Sequence, residues 1–444
     1  MVKIIGAGLA GCEAALTLAN KNIKVELFEA KPTKRSPAHH MDDFCELVCS
    51  NSLKTQDIYT AHGLLKKELE ILDSQILKLA KECRIPAGGA LAVDRDLFAK
   101  KVTVAIKSHP NIIVTNKVVD TIDRLDNCIV ATGPLTLGNL ANELSLKFDG
   151  NLSFFDAAAP IVSEDSIDFN SAFIANRYGK GDELSSKDGD YVNCPLEKEE
   201  YLNFINELTK ADRVLPKEFE TTPIKDIPVY EGCIPVEVMA SRGVDTLRFG
   251  PLKPVGFTNP HTGKRPYAVV QLRKENANGT MYNMVGFQTS LKFNEQKRIF
   301  SLIPALKNAE FLRYGVMHRN TYINAPKILN ADFSLKKNPT VFIAGQLSGV
   351  EGYVESIASG LVAALYLFGK INNNKTFKFP TTTMLGALSN YITVPNSDFQ
   401  PMNSNFGLLP QLQTKKENKD KKLRRKLQVD LAILDMQKFS KKIK

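Results

Sequence analysis

Apolar and polar positions along the chain fall into blocks that spell strands and helices. Val2 to Ile5 is a short apolar run, and Cys12 to Asn20, with Ala14, Ala15, Leu16, Leu18 and Ala19, has the small-residue character of a tightly packed helix. Between them stands Gly6-x-Gly8-x-x-Gly11. A second strand, Lys24 to Phe28, follows and ends at Glu29. Strand, glycine turn, helix, strand and terminal acid in this order predict a dinucleotide site. The first glycine makes the bend, the second lets backbone approach a pyrophosphate, and the third lets helix and strand close together. The phosphates would rest on the backbone of Gly6, Ala7, Gly8, Leu9, Ala10 and Gly11 at the positive end of the helix, and Glu29 would take the ribose hydroxyls.

Further along, Lys31 to Asp43 is polar, and Phe44 to Leu53 sets Cys45 and Cys49 four apart, on one helical face or near a helix end. Leu64, Leu65, Leu69, Leu72, Ile76, Leu77 and Leu79 keep close to the helical period and predict one helix from Leu64 to Glu82, broken by Pro86-Ala87-Gly88-Gly89. Asp94 is placed to start a helix over Leu97 to Ile106. Asn111 to Thr115 and Cys128 to Thr132 read as strands, the latter ending in Ala131-Thr132-Gly133, where strand ends of such sheets meet the cofactor.

The middle changes character. Ser185 to Asp190 is polar and glycine-bearing, a linker by composition, and after it come short strands such as Tyr267 to Leu272 and Tyr282 to Phe287, with a helix at Glu199 to Thr209. Val341 to Ala344 then restores strand-glycine-helix grammar through Gly345, Gln346, Gly352 and Tyr353 into an apolar helix, Glu355 to Phe368. The predicted organisation is an α/β dinucleotide-binding Rossmann domain in two pieces, 1–189 and 309–412, around an inserted α+β domain at 190–308, with a basic tail at 413–444. No second GxGxxG occurs, so one dinucleotide is held and any nicotinamide visits.

Charge alters this picture at one place. The net charge is +10, and from Lys415 to Lys444 twelve Lys or Arg stand against four Asp or Glu. Such a tail suits a nucleic acid, an anionic surface or plain solvent. Leu427, Leu431, Ile433 and Leu434 among these charges suggest an amphipathic helix docked on the body and presenting Lys421, Lys422, Arg424 and Arg425. The seven cysteines are scattered without a CxxC pair, which indicates neither disulfides nor a metal site and points to reduced thiols in the cytoplasm. The first strand leaves no room for a signal peptide, and the longest apolar run, Leu361 to Phe368, is short for a membrane span.

Candidate chemistry concentrates in a few stretches. Cys49 lies in Val48-Cys49-Ser50-Asn51-Ser52, and Cys233 follows Glu231-Gly232 and precedes Ile234-Pro235, a setting that suggests a turn exposing the thiol. Each is either a small buried hydrophobe or a nucleophile with a depressed pKa. His318, Arg319 and Asn320, shortly after Arg313, could grip a polyanion or an acidic cosubstrate, since guanidinium pairs with carboxylate or phosphate in a fixed fork. Arg242, Arg248, Lys253, Lys264, Arg265 and Arg273, interrupted by Phe249, Phe257 and Tyr267, suit backbone neutralisation with base stacking.

Taken together, GAGLAG with its following acid, ELVCSNSL, PAGGALAVDRDLFA, ATGPLT, EGCIPVEVMASRGVDTLRFGPLKPVG, AEFLRYGVMHRNTYIN and AGQLSGVEGYVESIASGL, in this order, resemble the folate- and FAD-dependent tRNA (uracil-5-)-methyltransferase family, TrmFO. The resemblance implies a glutathione-reductase-like flavoprotein with an inserted domain. It implies synthesis of 5-methyluridine in the T-loop of tRNA from methylenetetrahydrofolate, with FAD reduced by NAD(P)H, and two working cysteines that match Cys49 and Cys233. Lys54 stands where the family often has Arg. Relatives acting on a uridine of large-subunit ribosomal RNA share the resemblance, while a flavin-containing RNA-binding paralogue without turnover is a further reading against which the presence of both Cys49 and Cys233 argues. A related flavoprotein of the wobble uridine lacks the EGCIPVE and HRNT context. Neither membrane nor metal is expected as a partner.

Overall fold

The computed structural model describes residues 1–36, 38–123, 125–147, 152–214, 234–372, 377–396, 399–412 and 420–443, with the side chains of 152–156, 318 and 319 left aside. Cys233 lies outside the described residues.

The first body grows from the N-terminus. Strand β1 (Val2–Ile5) turns through Gly6 into helix α1 (Leu9–Asn20) and returns as β2 (Val25–Glu29). Helix α1 starts three residues earlier than its apolar residues predict, because Gly8 caps it. The stretch read as one helix from 64 to 82 is two, α2 (Ala61–Ile71) and α3 (Gln75–Glu82). Asp73 breaks them apart with φ near 61°. Buried Glu13 of α1 accepts from the Ile76 amide and the Ser74 hydroxyl, both at 2.8 Å, so its carboxylate joins the Ser74 side chain, which accepts from the Leu77 amide, in satisfying the start of α3. The period survives the break because both helices face one core. Asp94 does cap α4 (Arg95–Lys107), accepting from the Leu97 amide. Strands β3 (Ile112–Asn116) and β4 (Cys128–Val130) follow.

A second body fills the middle. Its antiparallel sheet contains β5 (Ile161–Ser163), β6 (Phe173–Ile174), β7 (Tyr191–Leu196), β8 (Ala268–Lys274), β9 (Met281–Met284) and β10 (Phe311–Arg313), in the order β6-β7-β8-β9-β5-β10. The boundaries at 190 and 308 are therefore too narrow, since three of the six strands lie outside them. Ser185 to Asp190 is not a linker either. Asp190 is buried and accepts from the Gly88 amide at 2.7 Å, tying the insert to the first body. A helix at Lys198–Lys210 covers one sheet face with Tyr201, Phe204, Ile205 and Leu208. Leu152–Ala157 and Met317–Tyr322 pair antiparallel where the chain crosses between bodies.

The chain then re-enters the first sheet as β11 (Val341–Ile343), giving five parallel strands in the order β11-β4-β1-β2-β3. Helix α5 (Tyr353–Ile371) crosses α1 so closely that Gly360 lies on the Ala10 carbonyl, with no room for a side chain. By length and composition α5 could cross a membrane; here it is packed within the core. Helix α6 (Met384–Thr393) has its first amides capped by Glu68 of α2. Helix α7 (Lys421–Ile443) packs on the first body beside α2 and buries Val429, Ala432, Met436 and Phe439; of the expected residues Ile433 is partly buried against the core, while Leu431 and Leu434 are exposed. Positions 429, 432, 436 and 439 form the stripe that fits the core. Lys421 and Lys422 are exposed, as expected of the tail, while the Arg425 guanidinium lies over the Phe406 ring.

Candidate active site: a dinucleotide cleft and the cysteine loop

At the carboxyl ends of the parallel strands runs a cleft lined by Gly6, Ala7, Gly8, Leu9, Ala10, Glu29, Thr132, Gly133, Gly345, Gln346 and Tyr353. The glycines have different duties. Gly6 has φ near 101° and Gly11 lies against the Gly6 carbonyl, so both are needed for the turn itself. A methyl on Gly8 would meet nothing within 4 Å, and that open space is where backbone can approach a pyrophosphate. The Glu29 carboxylate accepts from the amides of Ala7 at 2.8 Å and Lys31 at 2.9 Å, which holds it at the strand end facing the cleft. Gly352 lies just outside the wall as the cap of α5, with φ near 114°. These residues fit a dinucleotide such as FAD by shape and donor placement.

The expected helix around Cys45 and Cys49 is absent. Residues 44–51 form turns, with Cys45 at φ near 53°. Their amides are satisfied by the cleft instead of by a helical ladder: Cys45 N–H donates to the Ala7 carbonyl at 3.0 Å, and Cys49 N–H donates to the Tyr353 hydroxyl at 2.9 Å. The Ser50 amide donates to the same hydroxyl at 3.2 Å. Burial pushes the Tyr353 phenol above its ordinary range, so it stays neutral. Cys49 is half-buried, with its sulfur 3.9 Å from the Ala157 carbonyl. Burial also drives the Cys12 thiol, beside Cys45, well above the usual thiol range.

Three arginines grip this loop from outside. Arg95 of α4 donates to the Leu47 carbonyl and is paired with Glu275, at 2.9 Å from Nε and 2.7 Å from Nη2. Arg313 of β10 donates to the Val48 carbonyl at 3.2 Å, and Arg273 of β8 donates to Ser50 Oγ at 2.8 Å and Asn51 Oδ1 at 2.9 Å. Burial, with Arg95 nearby, lowers the Arg313 pKa. Sequence reasoning grouped Arg273 and Arg313 with cations for an anionic partner and left Arg95 unassigned. Their guanidinium groups are instead spent inside the protein. The alternation of the strand gives no sign of this, because it puts Arg273 on the face of Val269 and Gln271, opposite the core residues Ala268, Val270 and Leu272.

Glu355, two residues into α5 after Tyr353, is fully buried. Its Oε1 pairs with His62 Nδ1 at 3.1 Å and accepts from the Ser404 amide at 3.0 Å. Burial opposes the charge, but His62, Lys54 and Ser404 outweigh it and hold the carboxyl at about 2. A folded pKa below the unfolded value of about 4.5 stabilises the fold at neutral pH, and that stabilisation is lost as pH falls from about 4.5 through about 2. The melting temperature should therefore drop across this window, and Glu355→Gln should melt lower at neutral pH with a flatter acid limb.

A family model described as Glucose inhibited division protein A matches residues 1–375. A protein of Acetivibrio thermocellus called methylenetetrahydrofolate--tRNA-(uracil-5-)-methyltransferase TrmFO is 54% identical over 95% of this chain and 94% of its own. The protein so named in Bacillus subtilis is 50% identical over 100% of this chain and 99% of its own. The chain belongs to the TrmFO family. Among solved structures, Aquifex aeolicus GidA in its form II crystal superposes with a TM-score of 0.70 at 16% identity, covering 100% of this chain and 73% of that one, which extends the likeness to the fold. In this TrmFO-family chain the remaining candidates lie on the strand Met317–Tyr322 and on the insert. The strand bearing His318, Arg319 and Asn320 runs past the cleft rim, where the Thr321 amide donates to the Pro134 carbonyl at 3.0 Å, and Asn320 is buried. Lys253 is exposed on the insert, but Arg248 is engaged: its guanidinium stacks 3.6 Å from the Tyr267 ring centre and pairs with Asp245 at 2.8 Å.

Proposed function

We propose that this chain transfers a one-carbon unit from methylenetetrahydrofolate to carbon 5 of a uridine in tRNA, with FAD as cofactor and NAD(P)H as reductant. The observation that carries the reading is the bond from the Cys49 amide to Tyr353, which makes a thiol-bearing loop part of the dinucleotide cleft. The named activity of relatives sharing half of their residues over nearly the full chain supports the same reaction. The cleft of Gly6, Gly8, Glu29, Gly345 and Gln346 would hold FAD, which would supply reducing equivalents and a carrier for the one-carbon unit.

The protein's own tasks follow from its residues. Glu29 takes ribose hydroxyls, the amides at the start of α1 receive phosphates, and Gly345 and Gln346 close the far wall. Carbon 5 of uracil becomes nucleophilic only after addition at carbon 6, and a thiolate suits that addition. We assign the attack to Cys233 and the shielding of the reactive one-carbon centre to Cys49. The strand bearing His318, Arg319 and Asn320 and the insert's Lys253 are assigned to folate and RNA. The T-loop uridine, packed in a folded elbow, must be extruded to reach the thiol.

With tRNA containing 5-fluorouridine, Cys49→Ala should still form a covalent RNA complex and Cys233→Ala should not. A complex in Cys233→Ala would reverse the assignment, and none in the wild-type protein would remove covalent attack altogether. Competition between a tRNA transcript and a large-subunit ribosomal RNA fragment, scored for 5-methyluridine, tests the substrate. Product in the ribosomal fragment alone would overturn the tRNA reading.

A further inference from the structure

Two aromatic side chains on the insert are turned out to solvent at the edge of a cationic loop. Phe249, last residue of a short helix at Thr246–Phe249, is 80% exposed, and Tyr178 is 59% exposed. Both are held by built structure. Tyr178 sits at φ near 58°, a costly conformation for a tyrosine. Its amide donates to the Gly256 carbonyl at 3.0 Å, and a methyl at Gly256 would come within 2.9 Å of its ring, so glycine there leaves room for the ring. Phe249 is fixed from the other end of the same loop: Leu252 is buried, its amide donates to Leu247, and its carbonyl accepts from Val269 of β8. Between residues 242 and 265 five Lys or Arg stand against one Asp. Lys253, Lys264 and Arg265 of these are exposed.

The loop is tied to the same strand, β8, as the cysteine loop. Arg177 donates to the carbonyls of Lys253 at 2.8 Å and Val255 at 2.6 Å, and to Gln271 Oε1 at 3.1 Å. Gln271 and Arg273 are two apart on β8 and so share one sheet face, about 7 Å from each other along the strand. Arg273 is the residue that grips Ser50 and Asn51 beside Cys49. The face of β8 that holds the cysteine loop thus also holds the loop flanked by Tyr178 and Phe249.

We propose that Phe249 and Tyr178 form a stacking platform for unpaired bases of the substrate RNA next to the extruded uridine, with Lys253 neutralising the adjoining phosphates. The proposal rests on the tRNA reading above. Extrusion of one nucleotide leaves its neighbours without stacking partners, and an aromatic face accepts any base while nearby cations track the backbone. The positive charge of the loop and its link through β8 to the cysteine loop favour RNA over a protein partner.

The test uses the flavin-loaded enzyme and a tRNA transcript with 2-aminopurine beside the target uridine. Wild-type protein should quench the 2-aminopurine fluorescence on binding. Phe249→Leu and Tyr178→Leu should each raise the Kd for tRNA about tenfold and lose quenching, while Phe249→Trp should restore both; flavin content and melting temperature report that the variants fold. If the wild type methylates tRNA and both leucine variants bind and quench like it, the platform is wrong and the functional reading stands. If the wild type does not methylate tRNA, the functional reading fails and the platform with it.

Discussion

Gly11→Ala is expected to yield a colourless protein that folds poorly, with a stability loss of about 3 kcal/mol or more from overpacking. A methyl at this position falls inside the Gly6 carbonyl oxygen, a backbone atom that cannot rotate away, and 3.5 Å from the Ala131 side chain. Gly8→Ala provides the contrast within the same motif. Its φ of −80° is open to alanine and a methyl there touches no protein atom, so the apoprotein should keep its stability within about 0.5 kcal/mol. The added methyl instead occupies the approach of a pyrophosphate, so flavin should be lost without loss of fold. Thermal melts of apoprotein together with flavin content after denaturation separate the two. Equal behaviour of both variants would show that the glycines are not divided between turn and ligand.

Arg95→Ala should cost about 3–5 kcal/mol in urea unfolding, because it leaves Glu275 buried with its countercharge removed. Arg95 and Glu275 have side chains only 8% and 1% exposed, and they join α4 of the first body to the end of β8 in the second. The same guanidinium holds the Leu47 carbonyl, so methylation should fall further than stability alone explains. Arg95→Met combined with Glu275→Leu separates the two effects. Replacing the whole ion pair with apolar groups should recover most of the stability, whereas the Leu47 carbonyl still lacks its donor and the cysteine loop remains loose. Full recovery of methylation in the double variant would show that Arg95 matters only as an ion-pair partner.

Short-range features were legible from the chain alone. The turn at Gly6 to Gly11 and the Asp94 cap are set largely by neighbours within a few residues, and the acid at Glu29 by its place at the end of the second strand of the motif. Apolar periodicity located β1, α1, β2, α4, β8, β9, β11 and α5 for the same reason, and the return of strand-glycine-helix grammar at Val341 exposed the split domain. What only the tertiary structure decided involves residues far apart in sequence. The break at Asp73 is reinforced from sixty residues away, where buried Glu13 accepts from the first amides of α3 beside the local Ser74 cap. The insert reaches beyond 190–308 because its sheet recruits β5 and β10 across chain separations that no local pattern records. The loop at Cys49 abandons a helical period because Tyr353, Arg95, Arg273 and Arg313 offer its backbone and polar side chains better partners than its own neighbours do. A buried polar group must find a partner somewhere, and at this site Tyr353 and Arg95 come from distant segments of the first body while Arg273 and Arg313 come from the second.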